Sequence, residues 1–255
     1  MKALDVLSAF EGNRSSLSLT ELAAHADLPL STTHRLVADL VQAEFLRREP
    51  DGRLRPGRRV WKIGQNAGRA LQDAVRPRLV ELHRRTGHTA QIAIRDGGHA
   101  LVIDRVHGSA GRTDPSSRPG ARLPLHACAV GKALLAHEEP WIRKGYLAGT
   151  LEASTPATQV DADALAVQLD QVARQGFAST VEEARLGRSA IAVPVLIGTG
   201  TAVAALGLVA SATEGRRLLE HVSTLRDVAA SVALDAHRWP HARAVIDAFE
   251  REDTA

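Results

Sequence analysis

The stretch SLTELAAHADLPLSTTHRLVADLVQAEFLRREPDGRLRPG, residues 18–57, decides the fold of the amino-terminal part of this chain. Ser18 stands three residues before Glu21, a capping box for the run LTELAAHA, with Leu19, Leu22, Ala23 and Ala26 on its apolar side. Asp27–Leu28–Pro29 breaks the pattern. A second helix follows over about Ser31–Ala43, with Leu36, Val37, Leu40 and Val41 inward and Ser31 or Leu30 at its cap position. Ahead of them, Ala3, Leu4, Val6, Leu7 and Phe10 recur at helical spacing and Gly12–Asn13 stops the run. Three short helices with a tight link between the second and third make a helix-turn-helix unit. Phe45–Arg48 and Arg53–Gly57 flank an Asp51–Gly52 turn, which predicts a hairpin beside the third helix. Helices and hairpin in this order form a winged helix.

The first turns of the third helix carry Ser31, Thr32, Thr33, His34 and Arg35. Small hydroxyls and long donors at the leading end of a helix suit a major groove, where they meet base edges and phosphates. The hairpin brings Arg53 and Arg55 to the backbone or minor groove. Charge agrees with this placement. Residues 1–72 hold 11 basic and 8 acidic side chains, whereas residues 73–255 hold 21 of each. A basic patch beside a neutral body is the electrostatic footprint of a phosphate-binding surface, although a solvated Arg-rich face would look the same by charge alone.

The 255 residues exceed one small domain, and a hydrophobic content of 44% argues against a disordered chain. A single cysteine excludes an intramolecular disulfide and an all-cysteine metal cluster. No run approaches ~20 apolar residues, so no membrane is expected as a partner. MKALDVLSAFEGNRSS lacks the apolar core of a secretion signal, which makes the cytoplasm the expected compartment.

Beyond the hairpin, Val60 to about Ala74 reads as a connecting helix, and Arg76–Pro77 marks a restart that runs to Thr86. A hairpin is predicted over Thr89–Arg95 and His99–Val106, then a polar loop to Gly120, a strand over Leu123–His126 and a helix over Ala127–Ala136. Helices are predicted at Pro140–Leu147 and Asp161–Gln175, and strands at Phe177–Val181, Ile191–Ile197 and Thr201–Val209. A long helix from Glu214 to about Ala236 and another over His241–Glu250 close the chain. The fold class is therefore α/β in the mixed, α+β sense: a winged helix-turn-helix domain at 1–59, a linker helix at 60–75 and a mixed sheet-and-helix domain at 76–255.

Ala127, Cys128 and Ala129 begin a helix straight after a strand. The first N–H groups of such a helix lack intrahelical partners and suit an anion, although a tightly packed helix start in a core reads equally well from this feature alone. Cys128 beside His126 raises a thiol enzyme as an alternative. No oriented third group accompanies the pair, so no catalytic residue is assigned. The histidines show no HExxH spacing, and neither a metal nor a cofactor is assigned.

At this point the chain resembles the isocitrate lyase regulator (IclR) family of bacterial transcription factors. ALDVLSAF at 3–10, LTELAAHADLPLSTTHRLVADL at 19–40, FLRREPDGRLRPGRRVWKIG at 45–64, LPLHACAVGKALLA at 123–136 and EEARLGRSAIAVPV at 182–195 carry the resemblance. It implies a homodimer, or a dimer of dimers, on a palindromic or repeated operator in double-stranded DNA. It also implies a GAF-like carboxy-terminal domain that binds a small effector, often a carboxylate or an aromatic acid, in control of catabolic genes, with occasional metal binding. Carried onto this sequence, the DNA-reading residues are Ser31, Thr32, Thr33, His34 and Arg35 with Arg53 in the wing. The effector residues are Leu125, Ala127, Cys128, Ala129, Val130, Gly131, Glu182, Glu183, Ser189 and Val209. Family members commonly have cysteine where Ser189 stands, and Ser-Gly-Pro where this chain has Val209–Ala210–Ser211. An architectural DNA-binding protein without an effector is the alternative.

Overall fold

The computed structural model describes residues 2–10, 16–66, 69–107, 118–197 and 200–236. The chain divides into two compact units, Met1–Arg69 and Ala70–Ala255, and the division falls within the stretch read as a connecting helix.

In the first unit, α1 (Lys2–Ser8), α2 (Leu19–His25) and α3 (Leu30–Gln42) precede β1 (Leu46–Arg48), β2 (Leu54–Pro56) and α4 (Arg58–Asn66). The capping box is present: the Ser18 hydroxyl accepts from the Glu21 amide at 3.2 Å, and the Glu21 carboxylate accepts from the Ser18 amide at 2.6 Å. Neither Ser31 nor Leu30 caps α3. Pro29 holds that position without a side-chain bond, and Leu30 is already helical. Val6, Leu22, Val37, Leu40, Leu46 and Leu54 meet in one core, so the hairpin is anchored through its apolar residues while Arg47, Arg48 and Arg55 are exposed. A bridge between Leu17 and Leu54 adds a third extended segment to the two-stranded sheet. The Arg59 guanidinium lies 5.6 Å from the Phe45 ring centroid, a cation–π contact that seats the start of α4 on the hairpin.

The second unit holds α5 from Ala70 (the helix spans Arg69–Thr86), β3 (Thr89–Asp96), β4 (His99–Val106), β5 (Arg122–Pro124) and a 3₁₀ turn at Leu125–Ala127. It continues with α6 (Ala129–Leu135), α7 (Pro140–Leu147), α8 (Ala162–Gln175), β6 (Ala178–Val181), β7 (Arg188–Ile197), β8 (Thr201–Ser211), α9 (Gly215–Leu218) and α10 (Val222–Ala236). The six strands form one antiparallel sheet in the order β5-β4-β3-β8-β7-β6. Alternation along the strands sorts the side chains. Ile92, Ile94, Ile191, Val193, Leu206 and Leu208 face Val75, Leu79 and Leu82 of α5 and Leu225, Val228 and Val232 of α10. Ala93, Ala192 and Ala205 face Leu134 of α6 and Leu165 and Leu169 of α8. Small residues on this second face let α6 come close: a Cβ on Gly207 would lie 2.9 Å from Val130 Cγ1.

The helix expected from Ala127 begins at Ala129, after a strand that ends at Pro124, a 3₁₀ turn at Leu125–Ala127 and an extended Cys128, and two further sequence-based boundaries differ from the structure for physical reasons. Helix α5 runs through Pro77 instead of restarting there. Pro77 is exposed, and the burial of Val75, Leu79 and Leu82 on either side carries the helix across the missing N–H bond. The helix expected over Glu214–Ala236 is broken into 3₁₀ turns at Ala212–Glu214 and Leu219–His221 around α9, and only α10 is long. The helix predicted at His241–Glu250 lies outside the described residues.

Candidate functional site

Each unit carries one candidate surface. In the first, α3 exposes Ser31, His34, Arg35, Ala38, Asp39 and Gln42, a stripe along one side of the helix, and Thr32 is half-buried at its edge. Thr33 departs from the expectation that groups it with these outward residues. Its side chain is fully buried, because it lies four residues before Val37 and seven before Leu40 on the face turned to the core, and its hydroxyl donates to the Pro29 carbonyl at 3.1 Å.

The hairpin beside this stripe is ordered by its own arginines. Arg48 donates to the Gly52 carbonyl at 3.2 Å, and the Arg53 amide donates to Asp51 Oδ1 at 3.0 Å. Arg47 pairs with Glu49 at 2.8 Å, and Arg55 lies 3.9 Å from the same carboxylate. Arg53 is turned toward the body of the unit: it donates to the Ser16 hydroxyl at 3.0 Å, the Ser16 carbonyl at 2.9 Å and Glu21 Oε2 at 3.0 Å. Hydrogen bonds from Ser18, with help from Arg53, hold the Glu21 carboxyl below the usual carboxylate range.

In the second unit, a cavity of about 100 Å³ opens between the sheet and α6. Every strand supplies a residue to it: Leu123 from β5, Arg105 from β4, Gln91 from β3, Val209 from β8, Ala190 from β7 and Thr180 from β6. Arg188 and Ser189 of β7, Cys128 and Ala129 at the start of α6, and Ala184 and Arg185 from the preceding loop complete the lining. Register explains the convergence, since Gln91 pairs with Arg105, Ala190 with Val209 and Thr180 with Ala190, all on the α6 face. Three arginines border the cavity, and among the described residues no carboxylate lines it.

Of the effector residues implied by the sequence, Cys128, Ala129, Ser189 and Val209 line this cavity. Leu125, Ala127, Val130 and Gly131 are buried and are not among its lining. Gly131 fits only without a side chain, because a Cβ would stand 2.4 Å from the Leu125 carbonyl oxygen. Ser189 borders the cavity, yet its hydroxyl lies toward Gly215, where a Cβ would come within 2.7 Å of it. Glu182 and Glu183 also stand outside the lining. Glu182 accepts from the Gly187 amide at 2.6 Å, and Glu183 pairs with the buried Lys132 at 2.6 Å. The Lys132 ammonium also donates to Gln168 at 2.9 Å, and the Thr155 and Thr158 hydroxyls each donate at 2.7 Å to the Glu182 and Glu183 carbonyls respectively. These bonds fix the loop that carries Ala184 and Arg185.

Gln91, Arg105, Thr180 and Arg188 were not assigned from the sequence. Alternation within a strand says which residues share a face, but only the pairing of distant strands brings these four together. The thiol alternative meets an unfavourable setting. Burial pushes the Cys128 thiol up to about 12, with the Gly131 amide and Lys132 offsetting only part of it, and the thiol donates to the Pro124 carbonyl at 3.3 Å. His126 is engaged elsewhere: its Nδ1 lies 2.7 Å from the Tyr146 hydroxyl and its Nε2 lies 3.0 Å from the Glu152 carbonyl oxygen. Among the described residues no group of three or more His, Cys, Asp or Glu side chains is placed to hold a metal, and no helix is long and apolar enough to cross a membrane.

Comparison with known proteins identifies the family of both units. The family profile for the IclR helix-turn-helix domain matches residues 1–50, and that for the bacterial transcriptional regulator IclR carboxy-terminal region matches residues 67–234. The HTH-type transcriptional regulator XynR of Escherichia coli K12 is 32% identical over 215 residues, 81% of this chain and 83% of that protein. The HTH-type transcriptional repressor AllR of the same strain is 30% identical over 248 residues, covering 92% and 90% of the two chains. An IclR homologue from Microbacterium hydrocarbonoxydans, crystallised with 4-hydroxybenzoate, superposes with a TM-score of 0.82 at 28% identity over 93% of this chain and 98% of that one. The IclR of Thermotoga maritima gives 0.71 at 26% identity over 92% and 96%. With both profiles matched in order and relatives aligned over most of its length, the chain belongs to the IclR family of helix-turn-helix transcriptional regulators.

Proposed function

We propose that this regulator acts as a homodimer, or a pair of dimers, in the cytoplasm. It sets two α3 helices into successive major grooves of a palindromic or repeated operator that governs catabolic genes. Ser31, Thr32, His34 and Arg35 approach base edges and phosphates, and Arg55 and Arg47 meet the backbone. Arg53 takes a supporting role, holding the hairpin at its working angle. The single observation behind this reading is the exposed polar stripe of α3 beside an arginine-bearing hairpin.

The cavity of the second unit is proposed as the effector site, where a small acid biases the balance between operator-binding arrangements through its differential affinity for them. The arginine-rich wall supports this reading, as does the 4-hydroxybenzoate carried by the Microbacterium relative. The name of AllR supports repression as the mode of action.

Selection of binding sites from a random duplex library with the full-length protein tests the proposal. Recovery of a two-fold-symmetric sequence, with half-sites about one helical turn apart, is expected. Uniform retention of all duplexes, indifferent to added metabolites, would instead identify an architectural DNA-binding protein.

A further inference from the structure

We infer that Asp39 is a specificity-determining residue of α3, its carboxylate accepting a hydrogen bond from the amino group of a cytosine in the major groove. This rests on α3 reading the operator, as proposed above.

Placement comes first. Asp39 lies in the last turn of α3, where unpaired carbonyls make the helix end negative and a carboxylate costs stability. It stands on the exposed stripe with Ser31, His34, Arg35 and Gln42, the face that meets a polyanion on the proposed reading. The carboxylates around the hairpin are engaged: Glu21 with Arg53, Glu44 with Arg58, Glu49 with Arg47, and Asp51 with the Arg53 amide. Among the described residues the Asp39 side chain has neither an ion pair nor a hydrogen bond, and Arg35, one turn earlier, is not joined to it. An acid that opposes both the helix end and the phosphates, and that nothing in the folded unit compensates, marks a place where function overrides local preference.

Chemistry comes second. An ionised carboxylate only accepts, and the donors on the major-groove edge are the amino groups of adenine and cytosine. The adenine amino group is flanked by acceptors on both sides, its own N7 and the O4 of the paired thymine. That of cytosine has an acceptor on one side alone, the O6 of guanine, so a carboxylate meets less repulsion there.

Reach comes third. Ala38 stands beside Asp39 on the stripe, and its methyl lets α3 come close enough for a short side chain. Four residues advance the helix by about 6 Å, the height of roughly two base pairs, so the cytosine lies one or two base pairs from the base that Arg35 contacts.

The test is selection from a random duplex library with the full-length wild type, Asp39→Asn, Asp39→Ala and Arg35→Ala in parallel, followed by affinities on single duplexes at fixed salt. The position relaxed in Arg35→Ala locates the base that Arg35 contacts. Wild type is expected to select a C·G pair one or two steps from it in each half-site, and to lose at least about fivefold in affinity when that pair is changed. Asp39→Asn keeps the side-chain shape and supplies an amide that suits adenine N6 and N7, so the preference at that pair alone should move from C to A. Asp39→Ala should level the four bases there and bind a random duplex more tightly at low salt, because one negative charge is gone. Neither substitution removes a contact of the folded unit, so unfolding midpoints should not fall, and each variant's base preference is read against its own mean affinity.

If both Asp39 variants recover the wild-type sequence and merely bind every duplex more tightly, Asp39 sets charge and not sequence, and the inference falls while the reading of α3 stands. The same holds if the wild type selects an operator with no C·G pair at that spacing. If the wild type selects no sequence at all, the reading of α3 falls and the inference with it.

Discussion

Arg53 Nη2 lies 3.0 Å from Glu21 Oε2, so the hairpin is tied to the same carboxylate that closes the capping box of α2. One acidic side chain thereby sets both the start of a helix and the angle of the wing. Replacing Arg53 by alanine is expected to lower the unfolding midpoint of the first unit and to speed amide exchange in β1 and β2. Replacing Arg55 or Arg47 should leave that midpoint in place and reduce the salt slope of DNA binding by about one per residue.

The same carboxylate sets an acid limit. Glu21 is held below its ordinary range by Ser18 and Arg53, so its contribution to stability is complete above the unfolded carboxylate value and is lost as pH falls through its lowered folded value. Urea midpoints measured from about pH 6 down to about pH 3 should show this loss, and Glu21→Gln should flatten it.

Arg35 and Thr33 should separate cleanly. Arg35→Ala is expected to cost about 1–3 kcal/mol of discrimination between the selected operator and a scrambled duplex. Thr33→Val removes a buried hydroxyl that donates to Pro29 and should cost about 1 kcal/mol of folding stability while base preference is retained. Binding to both duplexes, read beside equilibrium unfolding, checks the pair.

Lys132 and Glu183 form a largely buried ion pair, with side-chain exposures of 3% and 13%. Lys132→Met strands a carboxylate and is expected to destabilise the second unit by about 3–5 kcal/mol, whereas the double change with Glu183→Leu should recover much of that loss. Denaturant unfolding of the three variants measures the difference.

Cys128 should behave as an inert thiol. With its pKa pushed up to about 12 and the side chain buried, native protein is expected to resist iodoacetamide at mildly alkaline pH and to react fast once unfolded. Cys128→Ala should leave operator binding intact, as a gel shift would show.

Much of this architecture is legible in local sequence. Ser18 and Glu21, Asp51–Gly52 and the span Pro140–Leu147 each act through neighbours a few residues away, and each element stands where its signal lies. Gly176 likewise ends α8 in the left-handed conformation, at φ 72°. Features that depend on distant partners were not legible. Glu183 reads as a candidate ligand-facing carboxylate until Lys132, 51 positions earlier, is found against it. Arg53 reads as a phosphate contact until Ser16 and Glu21 claim it. Gln91 and Arg105 carry no local signal, because their shared face is created by the pairing of β3 and β4.

The cavity floor draws on all six strands, while the opposite face of the same sheet holds the large aliphatic residues that pack under α5 and α10. The cavity lining is therefore distinct from the aliphatic layer under α5 and α10, although it adjoins the smaller core beneath α6 and α8. On the proposed reading of the cavity, a substitution at Gln91, Thr180 or Val209 is expected to change ligand preference and to leave the aliphatic layer under α5 and α10 in place.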